Sequence, residues 1–327
     1  MPVVLSFTPV GPKFLISADA AMPTITATAT LSGVTVDPRS PPIYTWTATL
    51  AFNGTLGGVL VPHSAGSTTT HRAIAPQTGP RNTFLIPFAE VRGGTLTVSV
   101  AVRVGTQTLT AQSTNLTIVG TNPAPSAIRT YANSIGANNV RFRKLMRQES
   151  SLRQFINASG APHYSGDDLG GVGLCQLTRP APTADQTWNW KENVAGGWRL
   201  YLEKQRIARA YPALVRSSAA FLQLVYAYNN PPAVPGAVGQ PRPASLTITL
   251  PEYTADQLDL DTLRGFNGYL RQLHEYRVRV DAAGRLVVTP DATGRRGTAE
   301  WERVPIAARG GAGDPNYVNN VEAQADF

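Results

Sequence analysis

The sequence predicts a multidomain protein, in which an antiparallel β-sandwich precedes a mainly α domain that carries a small β-hairpin insertion. Three observations lead to this prediction. The chain has 327 residues, enough for two domains at roughly 150 residues each. Apolar and polar residues alternate in the first 120 residues, whereas apolar residues recur at helical spacing from about residue 126. Nine of the 50 charged residues fall in the first 120, so the charge distribution divides the chain at the same place.

Residues 1–120 show the alternation expected of strands that place one face on a core. The clearest runs are Thr24–Leu31, Ile43–Leu50, Thr95–Val102 and Gln107–Val119. Glycine-containing turn signals separate them at intervals typical of a sandwich, so we predict an immunoglobulin-like domain that serves as a docking or spacer module. Residues 121–126 follow as a Pro-rich linker, because proline ends strands and helices.

Composition excludes several classes of protein. Cys175 is the single cysteine, which excludes an intrachain disulfide and a Cys-based zinc site. The four histidines show no ligand spacing, so we expect neither a metal nor a cofactor. No apolar run is long enough to span a bilayer. The net charge of +8 predicts an anionic partner, and we expect no nucleic acid because the chain has no nucleic-acid motif and no dense Lys/Arg stripe.

Glu149 is the most informative carboxylate of the mainly α region. Asn138 or Asn139 can cap a helix that we expect to run to about Phe155. Helical spacing would place Glu149 on one face with three apolar residues, Leu145, Leu152 and Ile156. Two interpretations follow. Glu149 forms an ordinary surface ion pair with Arg153, or partial burial raises its pKa so that it serves as a general acid.

Four sequence blocks decide between these interpretations by their order. The blocks are Arg147–Ser151 (RQESS), Gly170–Leu177 (GGVGLCQL), Asn193–Leu202 (NVAGGWRLYL) and Tyr226–Asn230 (YAYNN). This order resembles the lytic transglycosylase and goose-type lysozyme superfamily over about residues 127 to 232. The family has a Glu-Ser pair at the end of a helix, a Gly-Leu-Met-Gln segment, a helix with an Asn and a Gly three residues later, and an Ala-Tyr-Asn segment. Cys175 replaces the usual Met, and we expect it to be a packed thiol.

The resemblance implies that residues 127–327 form a lysozyme-like catalytic domain that cleaves the β-1,4 bond between the sugars of peptidoglycan. Glu149 matches the family's catalytic acid. Asp167 matches the aspartate that positions water in goose-type enzymes, and Asp168 lies one residue off that register. Thr178 stands where goose-type enzymes often carry another Asp, so hydrolysis and lytic transglycosylation stay open. A polar turn is the alternative interpretation of the two aspartates.

The same resemblance implies which residues line the sugar-binding cleft. The matching positions are Ser150, Gln176, Tyr228 and Asn229. Tyr164, Trp188 and Trp190 lie between predicted helices, where stacking on sugar rings is one interpretation and packing in a core is the other.

An insertion at about 233–313 departs from the minimal family pattern. Thr254 and Gln257 have the spacing of a capping box at the start of a helix. Arg277–Val280 and Arg285–Val288 flank Asp281–Gly284 and predict a β-hairpin. Its arginines form either a contact with the wall polymer or a solvated basic surface.

The leading functional prediction is therefore a muramidase whose partners are peptidoglycan glycan strands and a protein that docks on residues 1–120. The alternative is a non-catalytic wall-binding or structural protein with the same fold. Met1–Pro12 lacks a basic cluster before an apolar core, so we expect no cleavable secretory signal. Action in the periplasm or cell wall would then require delivery by a phage or a secretion machine.

Overall fold

The computed structural model describes residues 2–52, 55–56, 59–60, 70–165, 170–231, 245–268, 273–309 and 313–327. The chain forms two compact units, the first made of Met1–Gly197 with Ala325–Phe327 and the second of Trp198–Gln324. The N-terminal region is built of β-sheets, and the C-terminal part is largely helical. Within the described ranges, no helix combines the length and the apolar composition needed to cross a membrane.

The four runs that alternation predicts all contain strands of the first unit, with Gln107–Val119 divided between two of them, and the structure adds strands that alternation did not single out. They are β1 Val3–Thr8, β2 Lys13–Ile16, β3 Thr26–Leu31, β4 Ile43–Phe52, β5 Thr55–Leu56, β6 Val59–Leu60, β7 Thr70–Gly79, β8 Thr83–Leu85, β9 Gly94–Val104, β10 Gln107–Gln112 and β11 Leu116–Gly120. One sheet has the order β1-β3-β8, and a second has the order β2-β11-β9-β4-β7, with β10 also paired to β9. All these pairs are antiparallel except β2–β11, which is parallel.

Both sheets contribute side chains to one hydrophobic core. Trp46 of β4 stacks on Phe84 of β8, with ring centroids 5.7 Å apart. The core does not end with the strands, because Phe155 and Trp188 belong to the same cluster. Trp188 meets Phe52 edge to face at 5.3 Å. Helical-region residues therefore help to form the core of the β-region.

The helices begin at the predicted change of period. They are α1 Pro125–Ser134, α2 Val140–Ser150, α3 Ala184–Trp188, α4 Trp190–Arg216, α5 Ala219–Asn229, α6 Ala255–Asn267 and α7 Tyr317–Ala323, with a short 3-10 helix at Ile306–Ala308. Asn139 caps α2 as predicted, since its side chain accepts from the N–H groups of Arg141 and Phe142. Ser126 does not cap α1, which begins one residue earlier with Pro125 in its first turn.

The predicted linker 121–126 is an ordered connection inside the first unit. The Asn122 side chain accepts from the backbone N–H groups of Gln154 and Phe155 at 2.9 and 2.8 Å, and it donates to the Phe155 carbonyl at 2.8 Å. Thr121 donates its N–H to the carbonyl of Ile16. The change from strand to helix falls between β11 and α1, as expected. Contacts nevertheless cross this boundary, because Trp188 packs in the core of the β-region and Asn122 bonds to Gln154 and Phe155.

The second unit combines α5–α7 with short strands. Its strands are β12 Thr247–Thr249, β13 Tyr276–Val278, β14 Val288–Pro290, β15 Arg296–Ala299 and β16 Trp301–Arg303. The predicted capping box at Thr254 and Gln257 forms at the start of α6. The predicted hairpin forms around the bridge Val280 to Leu286, with backbone hydrogen bonds from Asp281 to Arg285 and from Val287 to Arg279, and β14 pairs with β15.

A charged cluster lies within the second unit around two buried carboxylates, Asp261 and Glu275, and its other members are His274, Arg303 and Arg309. Glu275 is fully buried, and its Oε1 atom accepts from Arg303 Nε at 2.9 Å and from an Arg309 nitrogen at 2.6 Å. Asp261 contacts His274 Nδ1 at 2.9 Å and accepts the Glu275 N–H. His274 and Glu275, although adjacent in sequence, thus have separate side-chain partners.

Candidate active site

The end of α2 places Glu149 in the last helical turn. The helix stops at Ser150 and not at about Phe155, because Ser151 and Leu152 take positive φ angles of 53° and 62°. Ser151 donates its N–H to the Arg147 carbonyl and closes the helix. Glu149 is half-buried there. The predicted apolar stripe through Ile156 is therefore wrong beyond Glu149, and a helix end with a Glu-Ser pair takes its place.

A glycine-rich turn, residues 170–177, lies beside this helix end. Val172 and Leu177 pair across the turn, and Val172 also pairs with Tyr164. Gly173 has a φ of 72°, and a Cβ atom there would lie 2.6 Å from Asn193 Nδ2. Glycine is thus required at this position both by the backbone conformation and by the close approach of side chains.

Ser150 joins the helix end to the turn. Its side chain is buried, and Oγ lies 3.1 Å from the Met146 carbonyl and 3.0 Å from the Leu174 carbonyl. Oγ also accepts from the N–H of Arg153 at 3.2 Å. These contacts occupy the hydroxyl group inside the protein, so Ser150 positions the turn next to Glu149.

Gln154 holds the turn from the other side. It is fully buried, and its Oε1 atom accepts from the Leu174 N–H at 3.2 Å. Its Nε2 atom donates to the carbonyls of Gln186 and Thr187 at 3.2 and 2.9 Å. One side chain thereby bonds to three backbone groups, of which the Gln186 carbonyl also accepts from Asn193 Nδ2 at 3.1 Å.

Asn193, in the first turns of α4, completes a neutral amide network with Gln154. It is fully buried, accepts from the Cys175 N–H at 2.9 Å and donates to the Val172 carbonyl at 3.0 Å. Four residues on, a Cβ atom at Gly197 would lie 2.6 Å from the Cys175 Cβ. In this block, Asn193 therefore bonds α4 to the turn, and Gly197 lets α4 pack closely against it.

Cys175 is the packed thiol that the sequence predicts. It is fully buried, and burial raises its pKa far above the ordinary value. The negative charge of Glu149 raises that pKa further, so the carboxylate lies close enough to act on the thiol electrostatically. A thiol kept protonated in this way is not a nucleophile.

Gln176 has the most constrained geometry in the turn. Its φ is 46°, and its Nε2 atom donates to the Gly173 carbonyl at 2.8 Å. The same Nε2 atom lies 3.1 Å from His163 Nδ1. Gln176 Oε1 is buried and accepts no hydrogen bond from the described residues. A buried acceptor without a partner is uncommon in folded proteins, so the orientation of this amide is set by the contacts of Nε2 alone.

The remaining predicted residues have different outcomes. Asp167 and Asp168 lie outside the described residues. Tyr164 is half-buried and pairs through its backbone with Val172, at the edge of the turn. Among the predicted residues, the first unit therefore brings together Glu149, Ser150, Tyr164 and Gln176.

Tyr228 and Asn229 belong to the second unit, at the end of α5 as predicted. Tyr228 packs against a hydrophobic cluster that contains Phe221 and Leu250. Asn229 accepts from the Leu246 N–H at 2.8 Å and donates to the Leu246 carbonyl at 3.0 Å. Both amide atoms of Asn229 thus contact the backbone of its own unit.

The stacking interpretation of the two tryptophans is wrong. Trp188 and Trp190 are each 1% exposed. Trp188 lies in the core of the first unit, and Trp190 donates its indole N–H to the Ala18 carbonyl at 2.8 Å. The core-packing alternative is the one that the structure supports.

Gln154 and His163 are the site residues that the sequence did not single out. Gln154 follows the Glu-Ser pair, but nothing in its local pattern indicates that it reaches α3 and the turn. His163 precedes Tyr164 and donates its backbone N–H to the Gln154 carbonyl at 2.7 Å. The signal that could have found them is the glycine-rich turn itself, because a buried turn needs polar partners from elsewhere.

No set of three His, Cys, Asp or Glu side chains in the described part of the chain is arranged to bind a metal ion. Comparisons of the chain with protein-family models, with curated proteins and with solved structures found no match.

Proposed function

We propose that this protein is a muramidase that cleaves the β-1,4 bond between N-acetylmuramic acid and N-acetylglucosamine in peptidoglycan, with Glu149 as the general acid. The observation that carries the proposal is the place of Glu149, half-buried in the last turn of α2 and within electrostatic reach of the buried Cys175 thiol. Cleavage needs a proton for the leaving sugar oxygen, and a carboxylic acid beside an uncharged, water-poor turn is suited to supply it.

The contacts among the sequence blocks support the resemblance on physical grounds. Ser150 of the first block contacts the Leu174 carbonyl of the second. Asn193 of the third block accepts the Cys175 N–H, also in the second. Residues far apart in sequence thus meet around Glu149 because their side chains fill each other's hydrogen-bonding needs. We infer on this basis that residues 127–327 have a lysozyme-like architecture.

The strand order supports an immunoglobulin-like assignment for residues 1–120. The order β1-β3-β8 corresponds to strands A, B and E of that fold, and β11-β9-β4-β7 corresponds to G, F, C and C′. Trp46 on β4 is buried where the fold has a tryptophan on strand C. We propose that this region attaches the catalytic part to a docking partner. The net positive charge of the chain, +8, is consistent with binding to an acidic wall polymer.

Incubation with purified peptidoglycan tests the proposed activity. We expect the wild-type protein to release soluble glycan fragments, and Glu149→Gln to release them at least about 1,000-fold more slowly, since the amide cannot donate the catalytic proton. Glu203→Gln, which changes an exposed carboxylate on α4, is the matched control and should behave as wild type. Equal activity of wild type and Glu149→Gln would refute the assignment.

Mass analysis of the released ends decides the reaction type. Anhydro ends identify a lytic transglycosylase, in which the muramic sugar's own hydroxyl closes the ring, whereas reducing ends identify a hydrolase. Sedimentation of the protein with intact peptidoglycan, with no fragments released, would favour the non-catalytic wall-binding alternative.

A further inference from the structure

His163 faces the amide of Gln176, and the chemistry of this contact fixes the protonation state of the ring. The Gly173 carbonyl can only accept a hydrogen bond, so the Gln176 atom at 2.8 Å from it must be the donor Nε2. The same Nε2 atom lies 3.1 Å from His163 Nδ1. Nδ1 must therefore accept, which requires a neutral ring with its proton on Nε2.

The two acceptors together determine where the other amide atom points. With Nε2 of Gln176 bound by Gly173 and His163, Oε1 is left buried and accepts no hydrogen bond from the described residues. Gly171 leaves room for it, because a Cβ atom at that position would lie 2.7 Å from Oε1. Among the described residues, the Gln176 amide is therefore held through its donor side, by Gly173 and His163.

We propose that His163 is a positioning residue whose unprotonated Nδ1 fixes the orientation of the Gln176 amide and so holds the glycine-rich turn beside Glu149, and that protonation of His163 abolishes this orientation. The expected effect on peptidoglycan cleavage rests on the proposed function. Protonation would place an N–H of the ring against an N–H of the amide, and two donors cannot share a hydrogen bond.

The surroundings of His163 favour the neutral ring at ordinary pH. Burial lowers the pKa of His163 below its usual value, and the nearby positive charge of Arg153 lowers it further. The described groups that act on the ring are thus the Gln176 amide from the turn and the Arg153 guanidinium from the segment after α2. The positioning contact should persist through neutral pH and disappear as the pH falls through the depressed pKa.

The backbone of His163 strengthens the connection to the turn. Its N–H donates to the Gln154 carbonyl at 2.7 Å, and its carbonyl accepts from the Gly173 N–H at 2.9 Å. The backbone of His163 is therefore bonded both to Gln154 and to the turn. Because these bonds hold the backbone in place, protonation of the ring acts on the Gln176 amide.

Nitrogen NMR of the full-length protein tests the proposal without any substrate. We expect the His163 ring to show a protonated Nε2 and an unprotonated Nδ1 at pH 7, and the Gln176 side-chain amide signals to shift with the same midpoint as the His163 titration. His163→Asn assigns the signals, because the ring resonance disappears. A ring protonated on Nδ1 at pH 7, or Gln176 signals that ignore the titration, would overturn the proposal.

Kinetics on peptidoglycan provide the second measurement. His163→Asn places an amide oxygen near the position of Nδ1 that cannot be protonated, so it should retain activity and lose the fall in kcat/KM at acid pH. His163→Leu removes the acceptor and should lower kcat/KM by on the order of 10-fold to 100-fold. An unchanged acid limb in His163→Asn would contradict the proposed role. If the wild type cleaves no peptidoglycan, the proposed function fails while the NMR result still decides the role of His163.

Discussion

The polar network around the glycine-rich turn of the first unit and the charged cluster of the second unit stabilise buried polar groups in different ways. In the first unit, Gln154 and Asn193 are neutral amides that pair with backbone groups around the turn. In the second unit, the charged cluster pairs Glu275 with Arg303 and Arg309. A neutral network carries no titrating group of its own, whereas a buried charge must be compensated fully or it costs several kcal/mol.

This difference fits the location of the proposed active site. The amide side chains of Gln154 and Asn193 do not titrate, so their hydrogen bonds to the turn beside Glu149 do not depend on pH. The charged cluster shows the cost of burying a charge, because the Oε2 atom of Glu275 is buried and has no hydrogen-bond partner among the described residues. We infer that the charged cluster serves the fold of the second unit, while the amide network serves the geometry around Glu149.

Removing the charge of Glu275 should have the largest effect. Glu275→Gln preserves the shape of the side chain but leaves the buried Arg309 without a counter-ion, so the second unit should lose about 3 to 5 kcal/mol of unfolding free energy. Hydrogen exchange followed by mass spectrometry should show faster exchange in peptides from residues 198–324. Peptides from residues 1–197 should be unchanged.

Glu302→Gln is the matched control for that experiment. Glu302 accepts from Arg277 Nε in a partly exposed pair, and such pairs contribute about 0.5 kcal/mol or less. If Glu275→Gln is no more harmful than Glu302→Gln, the charged cluster does not stabilise the second unit, and the contrast between the two units fails.

The amide network should show a smaller loss that is confined to the first unit. Gln154→Leu removes the side-chain partner of the Leu174 N–H and of the Thr187 carbonyl, while the Gln186 carbonyl keeps its bond from Asn193, and the loss should cost about 2 to 3 kcal/mol. Denaturant unfolding with hydrogen exchange resolved by peptide measures the loss. Gln112→Leu, an exposed position on β10, should leave stability nearly unchanged.

The same substitution should impair peptidoglycan cleavage in conditions where the protein is still folded, because the turn would no longer be held beside Glu149. Normal exchange protection of residues 170–177 in Gln154→Leu would show that the network is dispensable for the turn.

Local patterns predicted the elements well and their long-range partners poorly. Alternation located β3, β4 and β9 within about two residues, and side-chain chemistry located the caps at Asn139 and Thr254. The end of α2 was wrong, because helical spacing of apolar residues continues past Ser150 while the backbone turns left-handed. Periodicity reports which face is buried, not where the helix stops.

The residues of the candidate site also differ in whether local sequence patterns can predict them. Glu149 and Gln176 came from motifs that a resemblance can match in order. Asn122, Gln154 and His163 act through partners about 10 to 30 residues away in sequence, and no local pattern encodes such a partner. Trp188 was ambiguous for the same reason, since its burial depends on strands that lie far from it in the chain.

Gly197→Ala should have the smallest effect of the three changes and tests whether close fit, as well as hydrogen bonding, maintains the turn. The added methyl group would lie 2.6 Å from Cys175 Cβ, so α4 or the turn must shift at a cost of about 1 to 2 kcal/mol. Cys175→Ala removes Sγ, the atom that the added methyl group would approach most closely, and keeps Cβ, so it should relieve the larger part of the clash. The double variant Gly197→Ala, Cys175→Ala should therefore be more stable than the sum of the two single losses predicts, by about 1 kcal/mol. Denaturant unfolding measures these losses. If they are additive, Cys175 does not limit the approach of α4 to the turn. The hydrogen bonds of Gln154 and Asn193 would then account for the position of the turn without a steric contribution.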